Sequence, residues 1–498
     1  MHVEYWTPLL VLLTSLTTGV TIFILREEQV RLRTALNVTG AVVMLVLVWA
    51  IVWANAQGVR FETRIGFLPG LDIVLRADSL AMLFGTLSAV LWLATTVYAV
   101  GYLEASLHQS RFFGFFSLCV MATMGVALAG NLLTFVLFYE LLTVATFPLI
   151  MHRGTRASAA AGRVYLVYTL SGGLLLLAGA VWLHVLVGTG DFTTGGYLSA
   201  SGLSRGHLVA VFALLVTGLG VKAAIVPLHG WLPAAMVAPA PVSALLHAVA
   251  VVKAGAFGIV RVVYDVFGIR TADEIGVLTP LAVAAAVTIL WGSLRALVQD
   301  DLKRRLAYST VSQLSYITLG VATFGPLSTV GGLAHLIHQG IMKVTLFFCA
   351  GLLAETLSVR RISEMAGVGR RMPVTMVAFT TAAFGMIGVP PLAGFVSKWY
   401  LGLGAIEAGD AWIVAVLVAS SLLNAAYFLP IVRTAWFDEA RVPWAGEPFE
   451  GRASEASWWL LAPTVLTAAL AVGAGVLAAI DISPLGLALR AAQGVFAE

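Results

Sequence analysis

Long apolar runs dominate the hydrophobic pattern of this chain. Each is close to the roughly 20 residues that a helix needs to cross the hydrocarbon core of a bilayer, and short polar loops separate them. The approximate bounds are 5–25, 33–54, 78–102, 112–129, 131–151, 161–187, 207–229, 241–264, 277–298, 305–323, 328–354, 373–402, 410–437 and 457–481. The pattern therefore predicts an all-α polytopic membrane protein with about 14 transmembrane helices, numbered below as spans 1–14.

Composition supports a bilayer environment and narrows the classes of function. Hydrophobic residues make up 60% of the 498 residues and charged residues only 11%, which lies outside the usage of soluble domains. The largest polar pieces, 55–77, 188–206 and 438–456, are suited to surface loops and are too short for a soluble domain. The net charge of +4 is explained by basic loops, so we expect no nucleic-acid partner.

No motif in the sequence indicates a cofactor, metal or nucleotide site. Cys119 and Cys349 both lie inside apolar runs, and no Cys-x-x-Cys or Cys/His ligand spacing occurs. Glycine-rich pieces such as GTGDFTTGGY lack the P-loop pattern. We therefore expect no cofactor, no metal site and no catalytic residue in this chain.

Lys and Arg are distributed unevenly over the short loops. Loops after odd-numbered spans hold Arg26, Arg31, Arg33, Arg153, Arg156, Lys303, Arg304, Arg305, Arg360, Arg361, Arg370, Arg371, Arg441 and Arg452, whereas loops after even-numbered spans hold mainly Arg60, Arg64, Arg205 and Arg270. Cytoplasmic loops of membrane proteins carry the excess of positive charge. We therefore expect the odd loops in the cytoplasm and both termini on the outer, periplasmic side of a cell inner membrane. Span 1 lacks a basic flank and a cleavage site, so we expect it to be retained.

Prolines are predicted to break two of the spans. Pro227 in span 7, and Pro390 and Pro391 in span 12, have no N–H, so the carbonyls four residues earlier lose their intrahelical partners. In span 12 these carbonyls belong to Met386 and Ile387. Unpaired backbone at membrane depth must be buried in protein or line a hydrated cavity. Two polar, hydrated places inside the membrane are therefore expected.

A short sequence motif occurs twice, once at each of these breaks. PLHGW begins at Pro227 and PLAGF at Pro391, and five predicted helices separate the two motifs. Because five is an odd number, the two units would have opposite orientations in the membrane, as the inverted repeats of many transporters do. Both copies fall where a helix is expected to break.

Ionisable residues inside membrane spans are costly and usually face a bundle interior or an ion path. The set comprises Glu140 in span 5, Lys222 in span 7, His247 and Lys253 in span 8, His335, His338 and Lys343 in span 11, and Lys398 in span 12. A lysine can instead snorkel to an interface, a lone histidine can be a packing residue, and Glu140 could form a static ion pair. A static pair would not require the remaining row of bases, so the set favours proton exchange.

Five motifs resemble the proton-conducting, antiporter-like membrane subunits of respiratory complex I, membrane-bound hydrogenases and Mrp-type cation/proton antiporters. They are FYELL around Glu140, Lys222 before VPLHGWLPAAM, APAPVSALLHA at 238–248, DLKRRLAYSTVSQLSY at 301–316 and GVPPLAGFVSKW at 388–399. The resemblance implies a fourteen-helix core in which helices 4–8 and 9–13 form two inverted five-helix repeats, with helices 7 and 12 broken. Residues 1–110 would hold helices 1–3, 111–265 the first repeat, 277–437 the second repeat, and 457–498 helix 14 and the tail.

The resemblance also implies roles for single residues. Glu140 would be the acidic partner of Lys222, His247 and Lys253 the central relay on helix 8, His335 and Lys343 the relay on helix 11, and Lys398 the terminal lysine toward the outer exit. His338 has no clear equivalent. His247 and Lys253 lie six residues apart, on different faces of a straight helix, so an irregularity near Gly255 would be needed to bring them closer.

Within the family, the D-type member of the Mrp antiporters fits this sequence best. Lys398 replaces the glutamate expected in the complex I subunit of similar length, and the sequence ends soon after span 14, unlike the largest complex I subunit. We therefore expect a transporter subunit, not an enzyme, that moves protons beside other membrane subunits, with Na⁺ or K⁺ passing through the complex. The alternatives are a proton-pumping subunit of a complex I-like or hydrogenase-type redox complex, and a membrane proton path for a soluble protein in inorganic carbon uptake.

Overall fold

The structure is a computed structural model and describes residues 3–104, 106–188, 190–199, 201–439, 444 and 455–496. Two arginines of the predicted cytoplasmic loops, Arg441 and Arg452, lie outside the described residues. The helices are α1 Val3–Ile24, α2 Val30–Ala56, α3 Ser79–Tyr102, α4 Gln109–Leu128, α5 Leu132–Ile150, α6 Arg156–Val187, α7 Arg205–Lys222, α8 Trp231–Ala234, α9 Ala240–Ala244, α10 Val251–Arg261, α11 Ile269–Glu274, α12 Leu278–Leu297, α13 Leu302–Ala322, α14 Pro326–Thr356, α15 Val368–Arg371, α16 Pro373–Ile387, α17 Ala393–Glu407, α18 Ala411–Phe437, α19 Trp458–Val476 and α20 Pro484–Phe496. Short 3₁₀ segments at Ala235–Val237 and Ile362–Glu364, and π-helical turns at Leu245–Val249 and Val262–Phe267, join some of them.

Twelve helical segments among the described residues are long and apolar enough to cross a membrane. They coincide with predicted spans 1–9, 11, 13 and 14. In the position of span 10, α13 carries many hydroxyl and amide side chains, and the position of span 12 is divided between α16 and α17. The all-α polytopic membrane fold is confirmed, while the count of fourteen stays a prediction.

Two segments lie at the centre of the molecule. In the most apolar stretch of residues 240–267 and in that of α14, 100% of the residues are buried inside the protein. In the corresponding stretch of α6 only 28% are buried. α14 packs against α3, α13, α16, α17, α19 and α20. Because a charge in contact with lipid is costly, this enclosed centre is where the fold can shelter ionisable side chains.

Small residues allow the helices to approach each other closely. A Cβ atom at Gly292 of α12 would lie 2.7 Å from the backbone nitrogen of Ser312 in α13, and one at Gly218 of α7 would lie 2.6 Å from the carbonyl oxygen of Gly172 in α6. Lipid tails are as apolar as leucine, so helices in a bilayer associate through such close packing and not through hydrophobic burial. These glycines therefore determine how near the neighbouring helices lie.

Two elements were not predicted from the sequence. The segment between α2 and α3, expected only to be a surface loop, forms an antiparallel hairpin of β1 Glu62–Leu68 and β2 Leu71–Arg76. Its sequence ETRIGFLPGLDIVLR has β-branched residues on both sides of a Pro-Gly pair, a dipeptide that marks turns. The predicted tail contains α20, which packs against α3 and α14.

Candidate functional site

The first proline motif lies at a break between two helices. α7 ends at Lys222, and Pro227 lies in the segment before α8. Lys222 is fully buried, and its Nζ donates a hydrogen bond to the carbonyl of Tyr139 on α5 and lies 3.4 Å from the centroid of the Tyr139 ring. The indole of Trp231 donates to the carbonyl of Val221 at 2.7 Å, which satisfies one acceptor left over where the helix ends.

The expected ion pair between Glu140 and Lys222 is not formed in the structure. Among the described residues no salt bridge involves either side chain, because the Lys222 ammonium is held by the carbonyl and ring of Tyr139. Glu140 turns toward α6, where a Cβ atom at Gly173 would lie 2.6 Å from its carboxyl carbon. Its Oε1 has no hydrogen-bond partner in the part of the chain that the structure describes. The ammonium nevertheless lies against the residue that directly precedes the carboxylate.

The eighth predicted span is not a regular α-helix. A π-helical turn over Leu245–Val249 is followed by a distorted residue, Ala250, with φ −107° and ψ −89°. The distortion lies between His247 and Lys253, five residues before Gly255, near which the sequence had suggested it. Single π-turns inside α-helices are frequent at functional sites.

The side chains of this span contact the second half of the molecule. The His247 ring is buried against Phe347 of α14, with 4.6 Å between ring centroids, and its two nitrogens have no partner among the described residues. Lys253 is also fully buried, and its Nζ donates to the carbonyl of Leu336 in α14 at 2.6 Å. Span 8 therefore touches the helix that carries the next set of predicted site residues.

The two histidines of α14 have different surroundings. Nδ1 of His335 lies 2.8 Å from Oγ of Ser397 on α17, and its ring stacks on Tyr316 of α13 with 5.0 Å between centroids. His338 is fully buried, and neither of its ring nitrogens has a partner within the described part of the chain. His335 is thus placed beside α17, whereas His338 makes no polar contact that would indicate a role.

Lys343 begins a chain of hydrogen bonds across three helices. Its Nζ donates to Oγ of Ser309 on α13 at 2.6 Å, and this hydroxyl lies 2.8 Å from the hydroxyl of Tyr427 on α18. Tyr427 donates to Oδ1 of Asn424 at 2.5 Å, and Nδ2 of Asn424 donates to the carbonyl of Met386 at 3.2 Å. The chain therefore ends at the last turn of α16, directly before the second helix break.

The second proline motif separates α16 from α17. The ammonium of Lys398 donates to the carbonyls of Met386 and Ile387, at 3.0 and 2.8 Å, and to Oγ of Ser421 at 3.0 Å. These are the two carbonyls that the sequence predicted the double proline would release. Lys398 also lies 5.3 Å from the ring centroid of Tyr316, so His335 and Lys398 share one aromatic neighbour.

Sequence reasoning missed the polar residues on the helices between these lysines. Buried hydroxyl and amide side chains form one stripe on α13 and another on α18: Ser309, Gln313 and Tyr316, and Ser420, Asn424 and Tyr427. The available signal was their helical spacing, i, i+4, i+7, inside YSTVSQLSY and SSLLNAAY. Both nitrogen and oxygen of the Gln313 amide lack a partner among the described residues, and buried atoms of this kind are the usual binding places of ordered water.

A cavity of about 530 Å³ opens where several helices end near the loops after spans 5, 9 and 11. Four basic side chains, Arg153, Lys303, Arg304 and Arg360, line it together with Asp301. Lys303, predicted as a loop charge, turns inward and donates to the carbonyl of Ala238 at 2.5 Å. The cavity therefore reaches the start of the enclosed span 8.

Comparison with known proteins identifies the family. The transmembrane family described as NADH:quinone oxidoreductase/Mrp antiporter matches residues 129–424. This region is more than half of the 498 residues and contains every ionisable residue of the predicted row. The chain belongs to this family.

Named relatives of this antiporter-like protein include both redox and antiporter proteins. It is 38% identical over 379 residues to the N-type member of the NADH-quinone oxidoreductase of Desulforudis audaxviator (strain MP104C), and the match covers 74% of each chain. It is 28% identical over 412 residues to the D-type member of the Na(+)/H(+) antiporter of Bacillus subtilis (strain 168), with 82% of each chain covered. The A/B-type member of a probable K(+)/H(+) antiporter of Rhizobium meliloti (strain 1021) is longer: a match at 34% identity covers 71% of this chain and only 35% of that protein.

Solved structures share the fold of the antiporter-like protein over its full length. A chain in the structure of the Mrp complex from Dietzia sp. DQ12-45-1b matches with a TM-score of 0.87 and 25% identity, covering 100% of this chain and 98% of that one. A chain of the membrane-bound sulfane sulfur reductase, an archaeal respiratory membrane complex, matches with a TM-score of 0.86 and 24% identity. The protein is therefore a multi-pass membrane subunit of a family found in multi-subunit membrane complexes.

Proposed function

We propose that this antiporter-like protein moves protons through the membrane as part of a multi-subunit cation/proton antiporter. The proposed path follows the row of ionisable residues inside the predicted spans in order: Glu140, Lys222, His247 with Lys253, His335 with Lys343, and Lys398. Each member lies within the matched family region, and the members on residues 240–267 and on α14 belong to the fully enclosed centre.

The observation that carries the proposal is the contact between the two halves of the row. Lys253 donates to the carbonyl of Leu336, the residue next to His335. Burying an ammonium group has a desolvation cost of several kcal/mol, so packing alone would not favour a lysine in a helix that is enclosed on all sides. A group that must bind and release protons does require one there.

The first pair of the row offers a mechanism for passing the proton on. Lys222 is held by the carbonyl and ring of Tyr139, and the Glu140 carboxylate follows at the next position of α5. An ammonium beside a carboxylate holds its proton differently from one beside a carbonyl, because an opposite charge stabilises the charged form. Exchange between these two partners would therefore alternately bind the proton on Lys222 and release it toward Lys253.

The metal cation is proposed to travel elsewhere in the complex. A Na⁺ path needs several oxygen ligands close together, and Glu140 is the one carboxylate of the row. We propose that this chain forms the proton limb and that a neighbouring membrane subunit carries any Na⁺ or K⁺. The inverted repeats at 111–265 and 277–437 would place the two broken helices in opposite directions across the membrane.

A second candidate is a proton-pumping subunit of a complex I-like redox complex. It is favoured by the 38% identity to the N-type member of an NADH-quinone oxidoreductase, which exceeds the 28% identity to the D-type member of an antiporter. Purification of the tagged chain in mild detergent separates the two. Small membrane subunits in the purified complex support the antiporter, whereas iron–sulfur chains support the redox complex.

Proton flux in membrane vesicles that contain the intact complex tests the proton path itself. We expect Lys222→Ala and Glu140→Gln each to abolish dye-detected flux, because each removes one member of the first relay. Glu28→Gln, which makes the same substitution in an exposed loop, is the control and should leave flux unchanged. Normal flux in both relay variants, at matched assembly, would show that this chain does not conduct protons.

A further inference from the structure

The hydrogen bonds between Lys343 and the second helix break all point in one direction. An ammonium group can only donate, so Lys343 occupies the acceptor site of the Ser309 hydroxyl. That hydroxyl is then free to donate to the oxygen of Tyr427, which itself donates to Oδ1 of Asn424. The orientation of the Asn424 amide is determined by the carbonyl of Met386, because a carbonyl accepts only and must face Nδ2.

The chain ends on an acceptor that a second lysine also uses. The carbonyl of Met386 receives Nδ2 of Asn424 at 3.2 Å and Nζ of Lys398 at 3.0 Å. A carbonyl oxygen has two lone pairs and can accept both donors, and this carbonyl is available because α16 ends beside it before the double proline. Two lysines on different helices, Lys343 and Lys398, are therefore connected by an unbroken series of hydrogen bonds.

We infer that Ser309, Tyr427 and Asn424 are positioning residues. They couple the protonation state of Lys343 to the hydrogen bonds that Lys398 donates to the end of the broken helix. The inference rests on the proposed function, since it assigns these residues to the last step of the same row. While Lys343 is charged, each donor of the series is directed toward Met386. When Lys343 is neutral, its amine can accept the Ser309 hydroxyl, so the series can reverse and Tyr427 no longer has to donate to Asn424.

Reversal changes the surroundings of Lys398. Without the Tyr427 donor, the Asn424 amide keeps Nδ2 on the carbonyl of Met386 but loses the bond at Oδ1 that polarises its N–H groups. Lys398 then shares the carbonyl of Met386 with a weaker donor, so it is held differently by the end of α16. Loss of the proton at Lys343 thereby changes the hydrogen bonding of Lys398 before a proton arrives there.

The series transmits orientation and does not itself carry the proton. The amide nitrogen of Asn424 has no basic lone pair, so a proton cannot continue from Tyr427 through this residue to Lys398. The transferred proton would instead pass the His335 side, where the imidazole lies between Tyr316 and Ser397 and where Tyr316 also faces Lys398. The polar stripes on α13 and α18 therefore transmit orientation, whereas the row of bases carries the proton.

Tyr427→Phe is the direct test, measured as proton flux in vesicles containing the intact complex. The substitution removes one hydroxyl and keeps the ring, which packs on Phe428 with 4.7 Å between centroids. We expect flux to fall about tenfold, in line with the loss of a hydrogen bond within a charged network. Tyr264→Phe is the matched control, because its buried hydroxyl pairs with Thr329 at 2.9 Å, away from this series, and it should retain wild-type flux.

A double substitution distinguishes coupling from damage to packing. Ser309→Ala and Tyr427→Phe interrupt the same series, so we expect the double variant to be no slower than the slower single variant, whereas independent packing defects would multiply. Multiplying losses, or an equal loss in Tyr264→Phe, would overturn the inference. If Lys222→Ala abolishes flux while Tyr427→Phe leaves it normal, the coupling is absent although the proposed function stands. Normal flux in both Lys222→Ala and Tyr427→Phe would reject the coupling and the proposed function together.

Discussion

The position of Glu140 illustrates how the absence of a Cβ atom on a neighbouring helix can make room for a half-buried carboxylate. The carboxyl group occupies space beside Gly173 of α6 that a Cβ atom would take, 2.6 Å from the carboxyl carbon. The neighbouring residue Gly172 instead contacts Val221 of α7, where a Cβ atom would lie 2.8 Å from that side chain. Two successive glycines thus serve different purposes, one for the carboxylate and one for helix packing.

We therefore predict that Gly173→Ala lowers proton flux by about tenfold while the complex still assembles. The added methyl group displaces the flexible Glu140 side chain from its place between α5 and α6, and a misplaced proton-transfer group costs a factor of this order or more. Flux and subunit recovery are measured together. Gly473→Ala is the control, since a Cβ atom there meets no described atom within 4 Å. Unchanged flux in Gly173→Ala would mean that the Glu140 geometry is irrelevant to transport.

For single residues, the sequence identifies buried charges better than it identifies the side chains that contact them. Lys222, Lys253 and Lys398 stand out because an ammonium in an apolar run is rare and costly. Ser309 and Tyr427 do not, because hydroxyl groups are common in membrane helices and can bond to the preceding turn. The contact between Lys222 and Tyr139 depends on side-chain rotamers across two helices, which spacing along the chain does not determine.

Among the elements, the end of span 8 is fixed by a buried ion-pair cluster that the sequence did not reveal. Arg261 is only 2% exposed. It donates to the carboxylate of Asp78 at 2.8 and 2.9 Å and to Asp265 at 2.6 Å. Asp78 also accepts from the backbone of Ala81 as the N-cap of α3. The N-cap was expected from the sequence, whereas the ion pair joins residues 183 positions apart and was not.

We predict that Arg261→Gln destabilises the protein by about 3–5 kcal/mol, because it leaves the Asp265 carboxylate buried without its cation. Thermal unfolding of the detergent-solubilised complex measures the effect. Arg370→Gln is the matched control: its side chain and that of Glu439 are 65% and 87% exposed with 4.0 Å between them, so about 0–1 kcal/mol is expected. Similar melting temperatures for the two variants would contradict a stabilising role for the cluster.

The hairpin on the same side of the molecule has a comparable ion network. Arg76 pairs with Glu62 at 2.7 Å and with Asp191 at 3.1 Å, which joins β1, β2 and the loop before α7. The neighbouring Arg64 also contacts Asp191, and this bond raises the pKa of the guanidinium above its ordinary value. The loop partner Asp191 was not visible in the sequence, because more than a hundred residues separate it from the hairpin.

For the whole molecule, orientation in the membrane remains a prediction from the loop charges. The described part of the chain contains Cys119 and Cys349, both buried, so new surface cysteines can be labelled against a low background. We predict that Ala157→Cys, after span 5, reacts only from the cytoplasmic side and that Thr194→Cys, after span 6, reacts only from outside. The native sequence without added cysteines is the control. The reverse pattern would place both termini in the cytoplasm.

Composition was sufficient to predict the membrane class and the order of most spans, since apolar length determines which segments can cross a bilayer. It could not show which spans occupy the centre. Residues 240–267 and Arg156–Val187 have similar mean hydropathies of 1.8 and 2.0. In their most apolar stretches, however, 100% and 28% of the residues are buried inside the protein. Lipid and protein interior are equally apolar environments for a helix, so only the packed structure distinguishes them.

The bond between Lys253 and Leu336 has a consequence for biosynthesis. The acceptor is 83 residues downstream of the donor, so at about 5–20 residues per second the ribosome needs roughly 4–17 s to supply it after Lys253 is made. During that interval the lysine has neither its final partner nor the enclosure of α14. If span 8 entered lipid before α14 had been made, it would expose there the lysine that the finished protein encloses.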